Sequence, residues 1–262
     1  MNIDLSGKRA IVCGASKGIG RAAAQELASL GASVTLVARN EEGLKKTLPA
    51  LASSRGQKHD YLVADFIDTE EVEAKLKKYL ADHAPVHILV NNGGGPPPGS
   101  ALSASTHDFA AIFTQHLLIG QVFVQAVVPG MKDAGYGRII NVLSTSVKAP
   151  IKGLGVSNTI RGAVAQWGKT LAGELAPFGI TVNNVLPGAT DTGRMEEIIE
   201  SKAKKSGKSA ADVKAEEIAH IPAGRFATPE ELGAAIAFLA SPAAAYINGI
   251  NLPVDGGRTP GL

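Results

Sequence analysis

The segment Gly14-Ala15-Ser16-Lys17-Gly18-Ile19-Gly20 constrains the fold more than any other stretch of this chain. It follows the β-branched run Arg9-Ala10-Ile11-Val12-Cys13 and opens an amphipathic stretch, residues 19–30, in which Ala23, Leu27 and Leu30 share one helical face. A strand that feeds a glycine-rich turn and then a helix is the setting in which backbone N–H groups meet a phosphate. The glycines allow close approach, and the helix N-terminus carries partial positive charge. A turn that serves only helix–strand packing is the plainer alternative.

The same alternation continues to the C-terminus. Val34-Thr35-Leu36-Val37-Ala38, Tyr61-Leu62-Val63-Ala64, His87-Ile88-Leu89-Val90, Arg138-Ile139-Ile140-Asn141-Val142, Thr181-Val182-Asn183-Asn184-Val185 and Ile250-Asn251-Leu252-Pro253-Val254 read as further strands separated by helical patterns. Continuous apolar runs, in place of period-two alternation, indicate strands covered on both faces and hence a doubly wound parallel α/β sheet. At 262 residues the chain buries roughly three quarters of its unfolded surface, so it needs no disulfide or metal, and no linker or repeat divides it. We read residues 1–262 as one domain.

Charge and composition exclude other classes. With 26 basic and 24 acidic residues the net charge is +2, too small an excess for a nucleic-acid binder. One cysteine, Cys13, cannot form an internal bridge, which points to a reducing compartment. No basic-then-apolar leader opens the chain and no apolar run approaches the roughly 20 residues of a membrane span. The expectation is a cytoplasmic protein without a membrane partner.

Further motifs then accumulate in order: Asp65 at the end of the third run, Asn91-Asn92-Gly93-Gly94 after the fourth, Pro187-Gly188 followed by Thr192, and Val254-Asp255-Gly256-Gly257. Together with Gly14 to Gly20 they resemble the short-chain dehydrogenase/reductase family over essentially the whole chain, with Cys13 where threonine is usual. The resemblance implies a Rossmann-type domain with a parallel sheet of about seven strands. It also implies a nicotinamide cofactor held by Gly14, Ser16, Lys17, Gly18, Ile19 and Gly20, by Asp65 at the adenine, by Asn91 and Gly93, and by Pro187, Gly188 and Thr192 near the nicotinamide.

Which cofactor follows from charge at the end of the second strand. NAD(H) needs an acidic residue there to accept from the ribose 2′-hydroxyl, whereas a 2′-phosphate needs cations. The chain carries Ala38-Arg39, with Lys17 inside the glycine motif. A guanidinium grips phosphate in bidentate fashion, so NADP(H) is expected over NAD(H). A lone arginine at a strand end is otherwise a solvated charge.

The catalytic positions depart from the family's pattern of Ser, then Tyr-x-x-x-Lys, with an Asn on an earlier helix. In the family register the serine falls on Ser144, with Ser146 as a substitute. The Tyr-x-x-x-Lys position falls on Ser157-Asn158-Thr159-Ile160-Arg161, and the interval from Ser144 to Ser157 equals the family's serine-to-tyrosine separation. The asparagine position falls in Gln115-His116-Leu117, which contains none. A serine hydroxyl is a far weaker acid than a phenol, and arginine does not shuttle protons at neutral pH. General acid/base catalysis contributes about 10²- to 10⁴-fold, so its loss slows hydride transfer without abolishing it. His116 is the candidate to take over the proton or to polarise the carbonyl, set against a histidine satisfied by packing. Arg161 is expected at the cofactor ribose or at a substrate carboxylate or phosphate, and Ser157 either orients substrate or water or is a plain small-residue replacement at a lost function.

Two irregular stretches border the expected site. Gly93-Gly94-Gly95-Pro96-Pro97-Pro98-Gly99 follows a strand, either as a wall over the nicotinamide or as a span across a gap. Residues 193–220 are polar and carry Lys202, Lys204, Lys205 and Lys208; the resemblance makes them a substrate lid. The basic lid either steers an anionic substrate or is a solvated face. The leading expectation is an NADP(H)-dependent oxidoreductase interconverting a small-molecule carbonyl and a secondary alcohol, similar to the family's oxoacyl-carrier reductases. The alternatives are a cofactor binder without redox turnover, acting as sensor or assembly partner, and a non-redox reaction on the same fold. The resemblance further implies a homo-oligomer, a tetramer built through the helices corresponding to residues 106–128 and 162–175 and through the C-terminal strand.

Overall fold

In a computed structural model that describes residues 1–260, the seven apolar runs become β1 (Arg9–Cys13), β2 (Ser33–Ala38), β3 (Asp60–Val63), β4 (Ile88–Asn91), β5 (Gly137–Val142), β6 (Ile180–Pro187) and β7 (Asn251–Val254). They form one sheet in the order β3-β2-β1-β4-β5-β6-β7, parallel at every pairing. The connecting helices are α1 (Gly18–Ser29), α2 (Glu41–Thr47), α3 (Thr69–His83), α4 (Thr106–Phe113), α5 (Ile119–Asp133), α6 (Gly155–Leu175), α7 (Gly193–Ser206), α8 (Ala210–Ala219) and α9 (Pro229–Ala240). The fold is the expected α/β Rossmann-type domain.

Alternate residues of β1 explain the two-faced core. Ala10 and Val12 pack with Leu27 of α1 and Leu232 and Ile236 of α9. Ile11 and Cys13 pack with Leu76 of α3 and Phe123, Val127 and Met131 of α5. Local chemistry starts the helices: Asp68 accepts from Glu71 N–H at the head of α3, and Thr228 and Glu231 form a reciprocal capping box on α9.

One helical stretch is longer than any single apolar run in the sequence. α4, a π-helical segment Thr114–Leu118 and α5 run on as a helical stretch, Thr106–Asp133, long and apolar enough to cross a membrane. Here its apolar residues Ile119, Phe123, Val127 and Met131 are buried against the sheet instead. The apolar positions are split by Thr, Gln and His, which hides their continuity from a search for uninterrupted runs.

A polar ladder crosses the carboxyl half of the sheet. Asn91 Nδ2 donates to Asn141 Oδ1 at 2.9 Å, Asn141 Nδ2 to Asn184 Oδ1 at 2.9 Å, and Asn184 Nδ2 to Asn251 Oδ1 at 2.8 Å. These four residues are directly opposite one another in the register of β4 to β7. The two central amides, Asn141 and Asn184, are buried, and buried amides persist because each is paired. Gly168 lets α6 close over them: a Cβ there would lie 2.9 Å from Asn141 Nδ2 and 3.0 Å from Asn184 Oδ1.

The strand order reverses between β1 and β4. The chain runs outward from β1 to β3 and then returns to β4 on the other side, so the loops after β1 and β4 diverge and leave a crevice at the strands' carboxyl ends, where ligands of open α/β sheets bind.

Candidate active site

The glycine turn forms one wall of this crevice. Gly14 and Gly18 take positive φ values of 61° and 57°, a left-handed backbone that glycine adopts without penalty. Gly20 has a steric role: a Cβ there would lie 2.3 Å from Gly14 O. Asn92 ties the turn to the loop after β4, its Nδ2 donating to Cys13 O at 3.2 Å and Gly14 O at 3.4 Å. Lys17 caps α1 without a side-chain bond, leaving the first helical N–H groups facing the cleft. This cradle fits a pyrophosphate.

The cleft measures about 1520 Å³, above the roughly 300–1,000 Å³ of ordinary small-ligand sites, so it has room for a dinucleotide and a second molecule. Gly14, Ser16, Lys17, Gly18, Ile19, Arg39, Asp65, Gly93, Pro187, Gly188 and Thr192 all line it, as do Ser144, Ser157 and Arg161. At the β2 end, Arg39 Nη1 stands 3.9 Å from Asp65 Oδ2, with both side chains largely exposed. Such a solvated pair is weak and leaves the guanidinium free for a stronger anion. Gly188 brings the Pro-Gly turn against the C-terminal motif, since a Cβ there would meet Asp255 at 2.7 Å.

The other half of the cleft is built on β5 and α6. Ser144 follows β5, and its Oγ accepts from Ser146 N–H at 3.1 Å; Ser146 itself is buried and outside the cleft lining. Ser157 and Arg161 occupy successive turns of α6, only 8% and 9% exposed. Arg161 Nε donates to Ser157 Oγ at 3.2 Å, and its Nη1 donates to Leu143 O at 2.7 Å and Val142 O at 3.2 Å. Burial, and next the charge of Arg194, lower the Arg161 pKa to about 10, so it stays cationic at neutral pH.

Two expected residues lie elsewhere. Asn91 does not line the cleft, because its amide is committed to the asparagine ladder; the neighbouring Asn92 takes the place at the crevice. His116 stands behind the loop after β4, its Nε2 hydrogen-bonded to Gly94 O at 3.0 Å and its ring 3.1 Å from where a Gly93 Cβ would be. It lines a void of about 20 Å³ and is absent from the cleft lining. Burial, and then the Arg161 charge, lower its pKa to about 3. At neutral pH His116 is therefore uncharged, with its ring bonded to the Gly94 backbone and outside the cleft lining.

Residues 193–220 fold as α7 and α8. Lys202 is bonded to Glu217 and Lys208 to Glu216, so two of the four lysines are neutralised within the pair. The cation that reaches inward is Arg194, whose Nη2 donates to Pro96 O at 2.8 Å. Nothing local marks this inward reach in the sequence, since Pro96 lies 98 residues away.

Comparison with known proteins agrees with this geometry. The family model described as Enoyl-(Acyl carrier protein) reductase matches residues 14–259. The 3-oxoacyl-(acyl-carrier-protein) reductase FabG of Vibrio harveyi is 34% identical over 257 residues, covering 97% of this chain and 98% of its own. The chain belongs to the short-chain dehydrogenase/reductase family. Among other members, the cyclohexanol dehydrogenase of Rhodococcus sp. is 31% identical over 278 residues, with 98% of each chain covered. The L-sorbose reductase of Gluconobacter frateurii, solved in complex with NADPH and L-sorbose, superposes with a TM-score of 0.93 at 30% identity and complete coverage of both chains. For a member of the short-chain dehydrogenase/reductase family, the glycine turn at the β1/β4 reversal is the expected cofactor wall. Ser144, Ser157 and Arg161 line the same cleft on its β5 and α6 side.

Proposed function

We propose that this family member is an NADP(H)-dependent oxidoreductase that interconverts a carbonyl and a secondary alcohol. The observation that carries the reading is one continuous cleft joining the glycine cradle and Arg39 to Ser144, Ser157 and Arg161. Reductases and dehydrogenases among its relatives, one of them bound to NADPH, support it. The cradle backbone receives the pyrophosphate, Arg39 and Lys17 the 2′-phosphate, Asp65 the adenine side, and Gly93, Pro187, Gly188 and Thr192 surround the nicotinamide. When bound, the cofactor supplies or accepts a hydride at the carbonyl carbon. Ser144 orients the carbonyl oxygen.

In the register of the family's Tyr-x-x-x-Lys pattern the two positions fall on Ser157 and Arg161, and we read this pair as working differently. Arg161 Nε occupies a lone pair of Ser157 Oγ, leaving the Ser157 O–H to donate toward the oxygen while the fixed guanidinium charge stabilises developing negative charge. The oxygen then takes its proton from water. Helices α7 and α8 close over the substrate as a lid. The half-exposed Phe113 and Leu118 on the 106–133 helical stretch support assembly as a tetramer. The single cysteine, Cys13, supports a cytoplasmic setting. Consumption of NADPH, not NADH, with a carbonyl panel tests the reading. NADPH binding without any turnover would favour the alternative of a cofactor binder.

A further inference from the structure

The substrate side of the cleft contains a buried cation without a counter-charge. Arg161 is 9% exposed, and among the described residues no carboxylate lies within ion-pair distance of it. Its Nε and Nη1 are spent on Ser157 and on the carbonyls of Val142 and Leu143, whereas Nη2 has no hydrogen-bond partner among the described residues. That nitrogen faces Gly95, where a Cβ would lie 3.7 Å from it, and Arg194 Nη2 comes within 4.0 Å of the same point. Two guanidiniums thus converge on a gap that glycine keeps open. Neutral dipoles satisfy hydrogen bonds, but a largely buried cation beside a second cation favours an anion in the gap between them.

Resting on the oxidoreductase reading above, we infer that Arg161 and Arg194 bind a carboxylate of the substrate, so that the carbonyl compound handled here is a small oxo acid and its partner a hydroxy acid. In the reducing direction the carbonyl carbon gains hydride from NADPH, the oxygen gains a proton from water, and the carboxylate is unchanged. The donors available suit this group. Arg161 offers a single free nitrogen, and Arg194 is already shared with Pro96 O and Glu197, which matches the two oxygens of a monoanion better than a dianionic phosphate. An acyl thioester is neutral at its reacting end and would leave Arg161 unanswered. Lys152 and Lys205 add positive potential along the cleft wall, against Asp191 and Glu196; Glu217 is occupied by Lys202 and Arg258.

The test compares pyruvate, 2-oxobutyrate, benzoylformate, acetoacetate and levulinate with their methyl esters as substrates with NADPH, in wild type and Arg194→Met. Arg194 lies on the lid, so this variant avoids the folding risk of replacing buried Arg161. The expected result is a kcat/KM for at least one acid about 10- to 100-fold above its ester, the worth of a charged hydrogen-bonded contact, with that ratio falling at least about tenfold in Arg194→Met. Esters used as well as acids, or an acid preference untouched by Arg194→Met, would overturn the inference while leaving the oxidoreductase reading intact. If no carbonyl compound is reduced, that reading fails, and calorimetric titration of the protein with oxalate, malonate and inorganic phosphate decides the anion site by itself. Saturable oxalate or malonate binding weakened in Arg194→Met supports it; no binding, or tighter binding of phosphate, overturns it.

Discussion

Arg161 Nε donates to Ser157 Oγ at 3.2 Å across one turn of α6, and the same guanidinium reaches back to Leu143 O at the end of β5. The serine is therefore part of the scaffold that holds a buried cation. Ser157→Ala leaves a charged N–H unpaired in a desolvated site, at an expected cost of about 1–3 kcal/mol. Urea unfolding measures it, and Ser157→Thr, which keeps the hydroxyl, should recover most of the loss. An unchanged midpoint in Ser157→Ala would detach Ser157 from this role.

The pairing of Arg39 with Asp65 at 3.9 Å leaves a cation at the end of β2 without a tight partner. Arg39→Asp places a second carboxylate beside Asp65 and repels a 2′-phosphate. NADPH affinity should fall about 10- to 100-fold, with NADH affinity not reduced. Calorimetric titration of both nucleotides checks this, and an equal loss for both would contradict the NADP(H) assignment.

The asparagine ladder predicts a large effect far from chemistry. Asn141→Leu removes the acceptor of Asn91 Nδ2 and the donor to Asn184 Oδ1. At about 1–3 kcal/mol for each buried group left unpaired, unfolding free energy should drop by about 2–6 kcal/mol. A change of less than 1 kcal/mol on the same scale would show that the ladder is replaceable.

Acid should weaken the fold through two histidines. Burial, then the nearby Lys8 and Arg9, hold His87 at about 4, where its neutral Nδ1 accepts from Arg9 N–H at 3.1 Å, and His116 is held at about 3. Both lie below the ordinary 6.5, so the unfolded chain binds protons that the folded protein does not. Stability is then full above about pH 6.5 and falls as the pH drops toward these folded values. Urea midpoints between about pH 7 and 5 should decline in wild type and flatten in His87→Gln and His116→Gln; parallel slopes would contradict the assignment. For the same reason the pH–rate profile should show no limb from His116.

How much of this was legible in the residues depends on the range of the forces involved. The seven strands were legible because burial on both faces imposes uninterrupted apolar runs. The cradle from Gly14 to Gly20 was legible because close approach demands glycine, wherever the rest of the chain goes. Side-chain direction was not: Asn91 and Asn92 are adjacent and chemically identical, and only the pleat sends one into the ladder and the other to the crevice. The direction of the His116 side chain was hidden for a similar reason, since the π-helical turn Thr114–Leu118 breaks the α-helical register. The inward reach of Arg194 was invisible because Gly95 and Pro96, which it meets in the cleft, are brought near only by the folded sheet.

The central claim is that this scaffold carries out carbonyl chemistry with NADPH without a tyrosine in the cleft, and one assay addresses it: NADPH consumption by wild type beside the Ser157→Tyr/Arg161→Lys double variant, across ketones, aldehydes, oxo acids and β-ketoacyl thioesters. The account predicts turnover of at least one carbonyl class by the wild-type protein, with Ser144, Ser157 and Arg161 sufficient for it. Turnover by the double variant alone would contradict the account and leave the native protein as a cofactor binder or a non-redox catalyst.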